Sequence, residues 1–173
     1  MNDSLTSQKA LQMREAFDLS FAQALQPPQI REEQLLAIRV AGVPYALRLR
    51  DISGLASGKE ILRLPSKAEA FLGLATIQGK LVPTWDLATL MGYGPTHKKC
   101  GWLAEVAGEM PWAAAFEGFE GTLSLGQHDL SAFSGQGKTA AFVREVYGSA
   151  EIPRALIHLS SVSETIQGIC YPI

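Results

Sequence analysis

A short apolar stretch interrupted by prolines and glycines, residues 62–90, constrains this 173-residue chain more than any other segment. Its strand-like beginning stops at Pro65, which lacks a backbone N–H donor and has a fixed φ. Ser66 is a suitable N-cap, so the sequence predicts a short helical turn from Ser66 to Leu74 that Gly73 would end. We therefore expect several short elements joined by sharp turns.

A tight turn is predicted next, at Gln78-Gly79, between two runs of aliphatic residues that favour strands. Pro83 lies inside the second run. Because proline is tolerated in a sheet only at an edge, a strand start or a bulge, we expect this strand to lie at an edge or to bend there. The short carboxylate of Asp86 then suits the N-cap of a further helical turn, which Gly92 would close.

The order of these residues resembles the signature of the CheW-like chemotaxis adaptor family. Members of that family carry a V-P pair, a short segment, and then roughly G-V-x-N-L-R-G-x-I-x-P-V-x-D-L. The fixed positions that this chain matches are Pro65, Gly73, Gly79, Val82, Pro83, Asp86 and Leu87. The chain has Thr76 and Gln78 where members usually have Asn and Arg, so it lacks the charged residue most associated with partner contact.

The resemblance implies a mostly β fold of two five-stranded, SH3-like barrels over residues 34–168, with the boundary between the lobes near 92–101. It also implies a non-enzymatic adaptor that links a CheA-type histidine kinase to the cytoplasmic tip of chemoreceptors. The candidate contact residues surround the turn: Thr76, Ile77, Gln78 and Lys80. Because glutamine in place of arginine turns a charged contact into a neutral hydrogen bond, we expect a dedicated partner in a divergent chemosensory pathway, such as one controlling surface motility.

The period of the apolar residues changes along the rest of the chain. Residues 1–28 predict an amphipathic helix ended by a Pro-Pro linker, which covers one face of the domain or docks on another protein, with a disordered segment as the third alternative. Alternation over Leu36–Val40 and Tyr45–Arg50 predicts a β-hairpin. Four short strands, a fifth strand and a capped helical turn are predicted beyond, at residues 102–106, 112–116, 121–125, 138–146, 155–159 and 160–166.

The charge balance argues against a nucleic-acid or anionic-membrane partner, since 15 basic residues face 17 acidic ones for a net charge of -2. Arg39, Arg48 and Arg50 share the polar face of the predicted hairpin and are an alternative nucleic-acid patch. That face has no interleaved aromatic residues and has Asp51 beside it, which favours an ordinary solvated strand face. No secretory pattern or run of about 18 apolar residues is present, so we expect a cytoplasmic protein without membrane insertion.

The cysteines and tryptophans are interpreted as structural. Cys100 and Cys170 have no C-x-x-C spacing and are expected to be free thiols. The tryptophans are expected to anchor the core. Trp85 follows Pro83 along the same strand, so one face of that strand is expected to reach the surface, where apolar side chains would meet a partner.

The sharpest alternative to an adaptor is a nucleotide-binding enzyme, because Ala132–Thr139 fits a permissive Walker A pattern. A phosphate loop needs a buried strand before it, a helix after it and a later acidic Mg²⁺ partner. The polar residues before the loop and the β-favouring residues after it indicate a glycine-rich hairpin instead. His97, His128 and His158 lack metal-ligand spacing, so the sequence predicts no catalytic residue, cofactor or metal.

Overall fold

The computed structural model describes residues 33–95, 100–108, 110–125, 130–148 and 153–170. The predicted N-terminal helix, residues 1–28, lies outside the described residues. The strands, in chain order, are β1 (Glu33–Val40), β2 (Val43–Arg48), β3 (Ile52–Ser57), β4 (Ile61–Leu62), β5 (Phe71–Ile77), β6 (Lys80–Asp86), β7 (Trp102–Val106), β8 (Trp112–Phe116), β9 (Gly118–Leu125), β10 (Leu130–Ala132), β11 (Val143–Tyr147) and β12 (Arg154–Ile157). The α-helices are α1 (Leu87–Leu90) and α2 (Leu159–Cys170).

Two six-stranded sheets are assembled from different parts of the chain. The first has the order β10-β11-β12-β2-β1-β9, and the second has the order β3-β7-β8-β6-β5-β4. Most neighbours are antiparallel, but β12 runs parallel to β2 and β6 runs parallel to β8. Neither sheet closes into a barrel in the described part of the chain, whereas the mostly β, two-lobed fold is confirmed.

The chain changes from one sheet to the other at two places. Residues 49–51 connect β2 of the first sheet to β3 of the second, and Glu117 connects β8 back to β9. Residues 92–101, the predicted boundary between lobes, instead separate α1 from β7, and the strands on both sides belong to the second sheet. Which sheet a strand joins is therefore decided by pairing between distant segments of the chain. A local change in composition does not indicate it.

The predicted N-terminal hairpin is present as β1 and β2. Ala41 and Gly42 form its turn with φ of 50° and 81°, the left-handed values that a two-residue hairpin loop requires. The strand predicted over Tyr45–Arg50 ends earlier, at Arg48, because residues 49–51 form a 3-10 turn. That turn redirects the chain into the second sheet.

The helical turn predicted from Ser66 to Leu74 is wrong. Ser66 Oγ accepts a hydrogen bond from the backbone N–H of Ala68 at 3.1 Å, as a cap would, but β5 already begins at Phe71. Gly73 lies inside β5 beside a register shift and has φ of 130°. It does not end a helix but makes room for the backbone of the neighbouring strand β4.

Pro83 does not lie on an edge strand, because β6 pairs with both β5 and β8. Its missing N–H is nevertheless tolerated for a local reason. In a hairpin with a two-residue turn, hydrogen-bonded and non-hydrogen-bonded residue pairs alternate, starting from the hydrogen-bonded pair next to the turn. That pair is Ile77–Lys80, so Leu74–Pro83, three pairs further out, is a non-hydrogen-bonded pair. The ladder to β8 begins only at Thr84, so the nitrogen of Pro83 faces a side where the sheet is not yet paired.

The later strands follow the predictions at 102–106 and 112–116, which coincide with β7 and β8. The strand predicted over 138–146 is partly wrong, since Lys138–Ala141 form a 3-10 turn and β11 begins at Val143. The short strand β10 was not predicted, because Leu130 is the only aliphatic residue among its three. Helix α2 is longer than the predicted helical turn.

The main hydrophobic core lies between the two sheets. Trp85 and Trp112 are 4% and 5% exposed there, and Leu36, Tyr45 and their neighbours reach it from the first sheet. Trp102 is only partly buried and packs on Phe119, with ring centroids 5.1 Å apart. A second, smaller core lies within the second sheet and consists of short side chains: Ala75, Ile77, Val82, Leu103, Ala113 and Ala115.

We expect Gly73→Ala to destabilise the protein by more than about 2 kcal/mol. A Cβ at this position would lie 2.1 Å from the carbonyl oxygen of Leu62, in addition to the cost of the positive φ. Gly58→Ala is the matched control, because Gly58 also has a positive φ but no atom within 4 Å of an added Cβ. Urea unfolding that gave the two variants equal stability would contradict the close approach of β4.

Candidate partner-binding surface

The turn between β5 and β6 is built by two residues in the left-handed region. Gln78 has φ of 48° and Gly79 has φ of 79°, the combination that matches the twist of paired strands. A Cβ on Gly54 of β3 would lie 2.9 Å from Gln78 Nε2 and 3.2 Å from Glu105 Oε2. The Gln78 carboxamide therefore lies back over Gly54, next to a carboxylate that is 5% exposed.

The four predicted contact residues do not all reach the surface. Thr76, Gln78 and Lys80 are exposed. Ile77 is 1% exposed and packs in the small core with residues such as Val82. The structure thus gathers three polar side chains around the turn and places Ile77 beneath them, where it anchors the hairpin.

The remaining motif residues differ in where they lie. Pro65 lies exposed in the loop between β4 and β5. Gly73 allows the close approach of β4, and Leu87 is fully buried at the start of α1. Gly73 and Leu87 therefore have roles in the local fold.

Asp86 is the most connected of these residues and confirms the predicted N-cap. Its carboxylate accepts hydrogen bonds from the backbone N–H groups of Ala88 and Thr89, each at 3.3 Å, and from Thr89 Oγ1 at 2.5 Å. Its backbone N–H donates to Ala70 O at 2.8 Å. A carboxylate that is 3% exposed is thereby supplied with donors, as a buried charge requires.

Cys100 adds a further donor to this carboxylate, with Sγ 3.7 Å from Asp86 Oδ1. Burial, followed by the negative charge of Asp86, raises the pKa of the Cys100 thiol to about 12. Such a thiol is protonated at neutral pH and is a poor nucleophile. The cavity lined by Asp86, Cys100 and Phe116 is about the size of one water molecule, so it does not hold a substrate.

The arginines of the first hairpin do not form a basic patch. Arg48 contacts Glu145 at 2.6 Å and Glu33 at 3.3 Å, and Arg50 contacts Glu33 at 3.0 Å. Arg39 is paired with Glu120, which also contacts Arg154 at 2.6 Å. Asp51 also lies 3.7 Å from Arg50, so four carboxylates face these four guanidinium groups and the cluster offers no net positive charge to a nucleic acid.

Residues 34–169, most of the chain, match the CheW-like domain family. The chain belongs to the CheW-like family. A crystal structure of the scaffolding protein TtCheW from Thermoanaerobacter tengcongensis shares the fold, with a TM-score of 0.65 at 16% sequence identity. The superposition covers 73% of this chain and 89% of that one. No curated protein has a significant sequence match. The predicted family is confirmed.

The Walker-A-like segment of this CheW-like chain is not built as a phosphate loop. The strand before it, β10, is a short antiparallel edge strand, and the residues after it form a 3-10 turn instead of a helix. A Cβ on Gly92 would touch the Lys138 side chain, and Thr139 Oγ1 donates to Met91 O at 3.4 Å. Both residues therefore pack against the end of α1, and the nucleotide-enzyme alternative is not supported.

Metal ligands and membrane-spanning helices are not found in the described part of the chain. No three His, Cys, Asp or Glu side chains are grouped there as a metal site would require. His97 and His128 lie outside the described residues. None of the described helices is long and apolar enough to cross a bilayer.

His158 lies at the start of α2, where its carbonyl accepts from Ser161 N and Val162 N. Burial, and then the positive charge of Arg48, lower its pKa below the usual 6.5. Arg144 adds to this effect, whereas Glu145, 3.5 Å away, and Asp51 oppose it. The native structure therefore favours the neutral imidazole.

We expect the free energy of unfolding to fall as the pH drops below about 6.5, because the unfolded chain then binds a proton on His158 more readily than the native one. The contribution is fully present above the unfolded pKa and is lost as the pH passes through the lowered native pKa. Urea unfolding between neutral and mildly acidic pH measures it. His158→Gln should give a flatter profile, and a slope identical to that of the wild type would contradict the assignment.

We expect the Cys100 thiol to react slowly with iodoacetamide near neutral pH, because little thiolate is present. Asp86→Asn keeps a capping oxygen but removes the negative charge, so the rate should rise by about tenfold. The measurement uses a Cys170→Ser background. The control is Cys170, an exposed thiol, in a Cys100→Ser background, whose rate Asp86→Asn should leave unchanged. Equal rates for the two wild-type thiols would contradict the shielding.

Proposed function

We propose that the chain is a non-enzymatic signalling adaptor that couples a CheA-type histidine kinase to the cytoplasmic tip of chemoreceptors. The family match over residues 34–169 is the observation that carries the proposal. The protein acts from the cytoplasm and performs no covalent step. A barrel-like domain of the kinase packs against one lobe, and a receptor hairpin lies between the lobes.

The β5–β6 turn is the contact region of this proposal. It presents Thr76, Gln78 and Lys80 on a support fixed by Ile77 and by the Asp86 network. A rigid turn limits the conformational entropy that is lost on binding. Local packing therefore supports a defined surface for recognition.

The substitution of Gln78 for the family arginine supports a specialised partner. Its neutral carboxamide lies back over Gly54 beside Glu105, so it does not present a charged fork to a carboxylate. A kinase or receptor that relies on that ion pair would bind this chain weakly. We propose a divergent chemosensory pathway, such as one controlling surface motility.

Binding to the organism's own CheA-type kinases and receptors tests the proposal. We expect Gln78→Glu and Lys80→Glu to weaken binding of the full chain by about tenfold each, because each changes the charge at the contact. Biolayer interferometry with the purified kinase gives the affinities. Arg144→Glu is the matched control, an exposed charge reversal on β11 of the other sheet.

Two results would contradict the proposal at different levels. Equal affinity of all variants would contradict the assigned contact region. The absence of binding to any kinase or receptor of the organism would contradict the adaptor role. Full restoration of swimming in a standard chemotaxis strain that lacks its own adaptor would leave the adaptor role standing and remove the specialisation. Gln78→Arg should improve that restoration.

A further inference from the structure

The outer face of β4, β5 and β6 carries a row of apolar side chains. Leu62 lies opposite Leu74, Leu74 opposite Pro83, and Thr76 opposite Leu81 in the strand pairing. Residues directly opposite each other share a face of the sheet, as do residues two apart on one strand. These five side chains therefore form one surface, here called the outer hairpin face.

The outer hairpin face contains the two most exposed large hydrophobic side chains of the described residues. Leu81 is 66% exposed and Leu62 is 61% exposed, the highest values among the large hydrophobic side chains of the described residues. Ala75, Ile77 and Val82, which alternate with these positions, are at most 1% exposed on the opposite face. The strands thus have one face in the core and a second apolar face in water, which costs free energy unless a partner covers it.

The outer hairpin face continues directly from the main core. Trp85 lies two residues beyond Pro83 on the same face, is 4% exposed, and packs against Phe71 with ring centroids 5.1 Å apart. Exposure therefore rises along β6 from Trp85 through the half-buried Pro83 to Leu81. The face is held at one end by a packed core, so it is preformed for binding.

Exposed charges lie next in sequence to the strands of this face. Residues that precede, begin or follow its strands include six charged side chains, all exposed and without an ion pair in the described part of the chain: Lys59, Glu60, Arg63, Lys67, Glu69 and Lys80. Four of the six are cations. Two arginines of the first sheet, Arg48 and Arg154, are paired with carboxylates, whereas Arg144 is exposed. The charged residues next to the strands of the outer hairpin face, four cations and two carboxylates, therefore have an excess of positive charge.

The size of the face limits what can cover it. Three strands about 4.8 Å apart make it about 10 Å wide, and two residues along a strand span about 7 Å. An α-helix with its side chains is about 10 Å across. A stable dimer needs about 800 Å² from each partner, which this face does not supply by itself.

We propose that the outer hairpin face binds a short amphipathic helix of another protein, whose apolar residues are flanked by aspartate and glutamate. Its apolar side chains pack on Leu62, Leu81 and Pro83. Its carboxylates lie beside the exposed cations next to these strands, such as Arg63, where opposite charge also speeds association. The proposal goes beyond the kinase and receptor coupling, because it defines a partner's chemistry from this surface alone.

A synthetic peptide of about four helical turns tests the proposal. It carries leucines at helical spacing flanked by glutamates, and its twin carries lysines in place of the glutamates. We expect the acidic peptide to shift the amide resonances around Leu62, Thr76 and Leu81 of the full chain in two-dimensional NMR. We also expect Leu81→Ser to weaken its binding by about tenfold, since a leucine side chain then loses its burial.

Matched variants separate the apolar contact from the charge. Leu55→Ser is the control for Leu81→Ser, because Leu55 is also an exposed leucine of the second sheet, on β3. It should leave the affinity unchanged. Arg63→Glu should weaken binding of the acidic peptide and strengthen that of the basic twin. Higher salt should weaken the acidic peptide further.

Several results would overturn the proposal. Equal binding of both peptides, no localised resonance shifts, or equal effects of Leu81→Ser and Leu55→Ser would each do so. Binding to vesicles of anionic lipid that Leu81→Ser abolishes would assign the face to a membrane. Self-association that the same variant abolishes would assign it to a second copy of the chain. Loss of kinase binding alone leaves the peptide result unchanged, so the two proposals fail separately.

Discussion

The buried carboxylate of Asp86 joins segments that are far apart in the chain. It caps α1 and accepts a hydrogen bond from Thr89. It also accepts from the thiol of Cys100, which lies just before β7. Its backbone N–H also fixes the chain at Ala70, before β5. A charge at this depth is stable only while these donors remain in place, so the segments that supply them are held together. The β5–β6 hairpin and the start of β7 take their positions from this arrangement.

The family pattern is explained by the same arrangement. Gly73 lets the backbone of β4 approach, Gly79 completes the turn, and Leu87 fills the core behind the cap. Gln78 takes part in the turn through its backbone, with φ of 48°, whereas its side chain is exposed and fills no place in the core. The fold can therefore be kept while the residue at the tip changes, which is how one scaffold comes to serve different partners.

The sequence predicted those elements whose conformation depends on residues close to one another in the chain. Four predicted elements of this kind are present in the structure: the turn at Gln78-Gly79, the cap at Asp86, and the strands β7 and β8. The turn after Ser66 was predicted as helix because the pairing of β4 with β5 is not local. The same holds for Ile77, since only strand alternation within a folded sheet decides which side of the hairpin is buried.

The two sheets differ in how their charged side chains are paired. In the first sheet, Arg48, Arg154 and Glu120 lie in ion pairs, which satisfies buried and half-buried charges but leaves little field at the surface. In the outer hairpin face, Leu62 and Leu81 are exposed to solvent, and the cations next to its strands are exposed as well. Since exposed apolar area carries a cost only in the free protein, the second sheet gains most from association. The uncompensated apolar area of the described residues is therefore largest on the outer hairpin face, which is the reason for proposing a partner there.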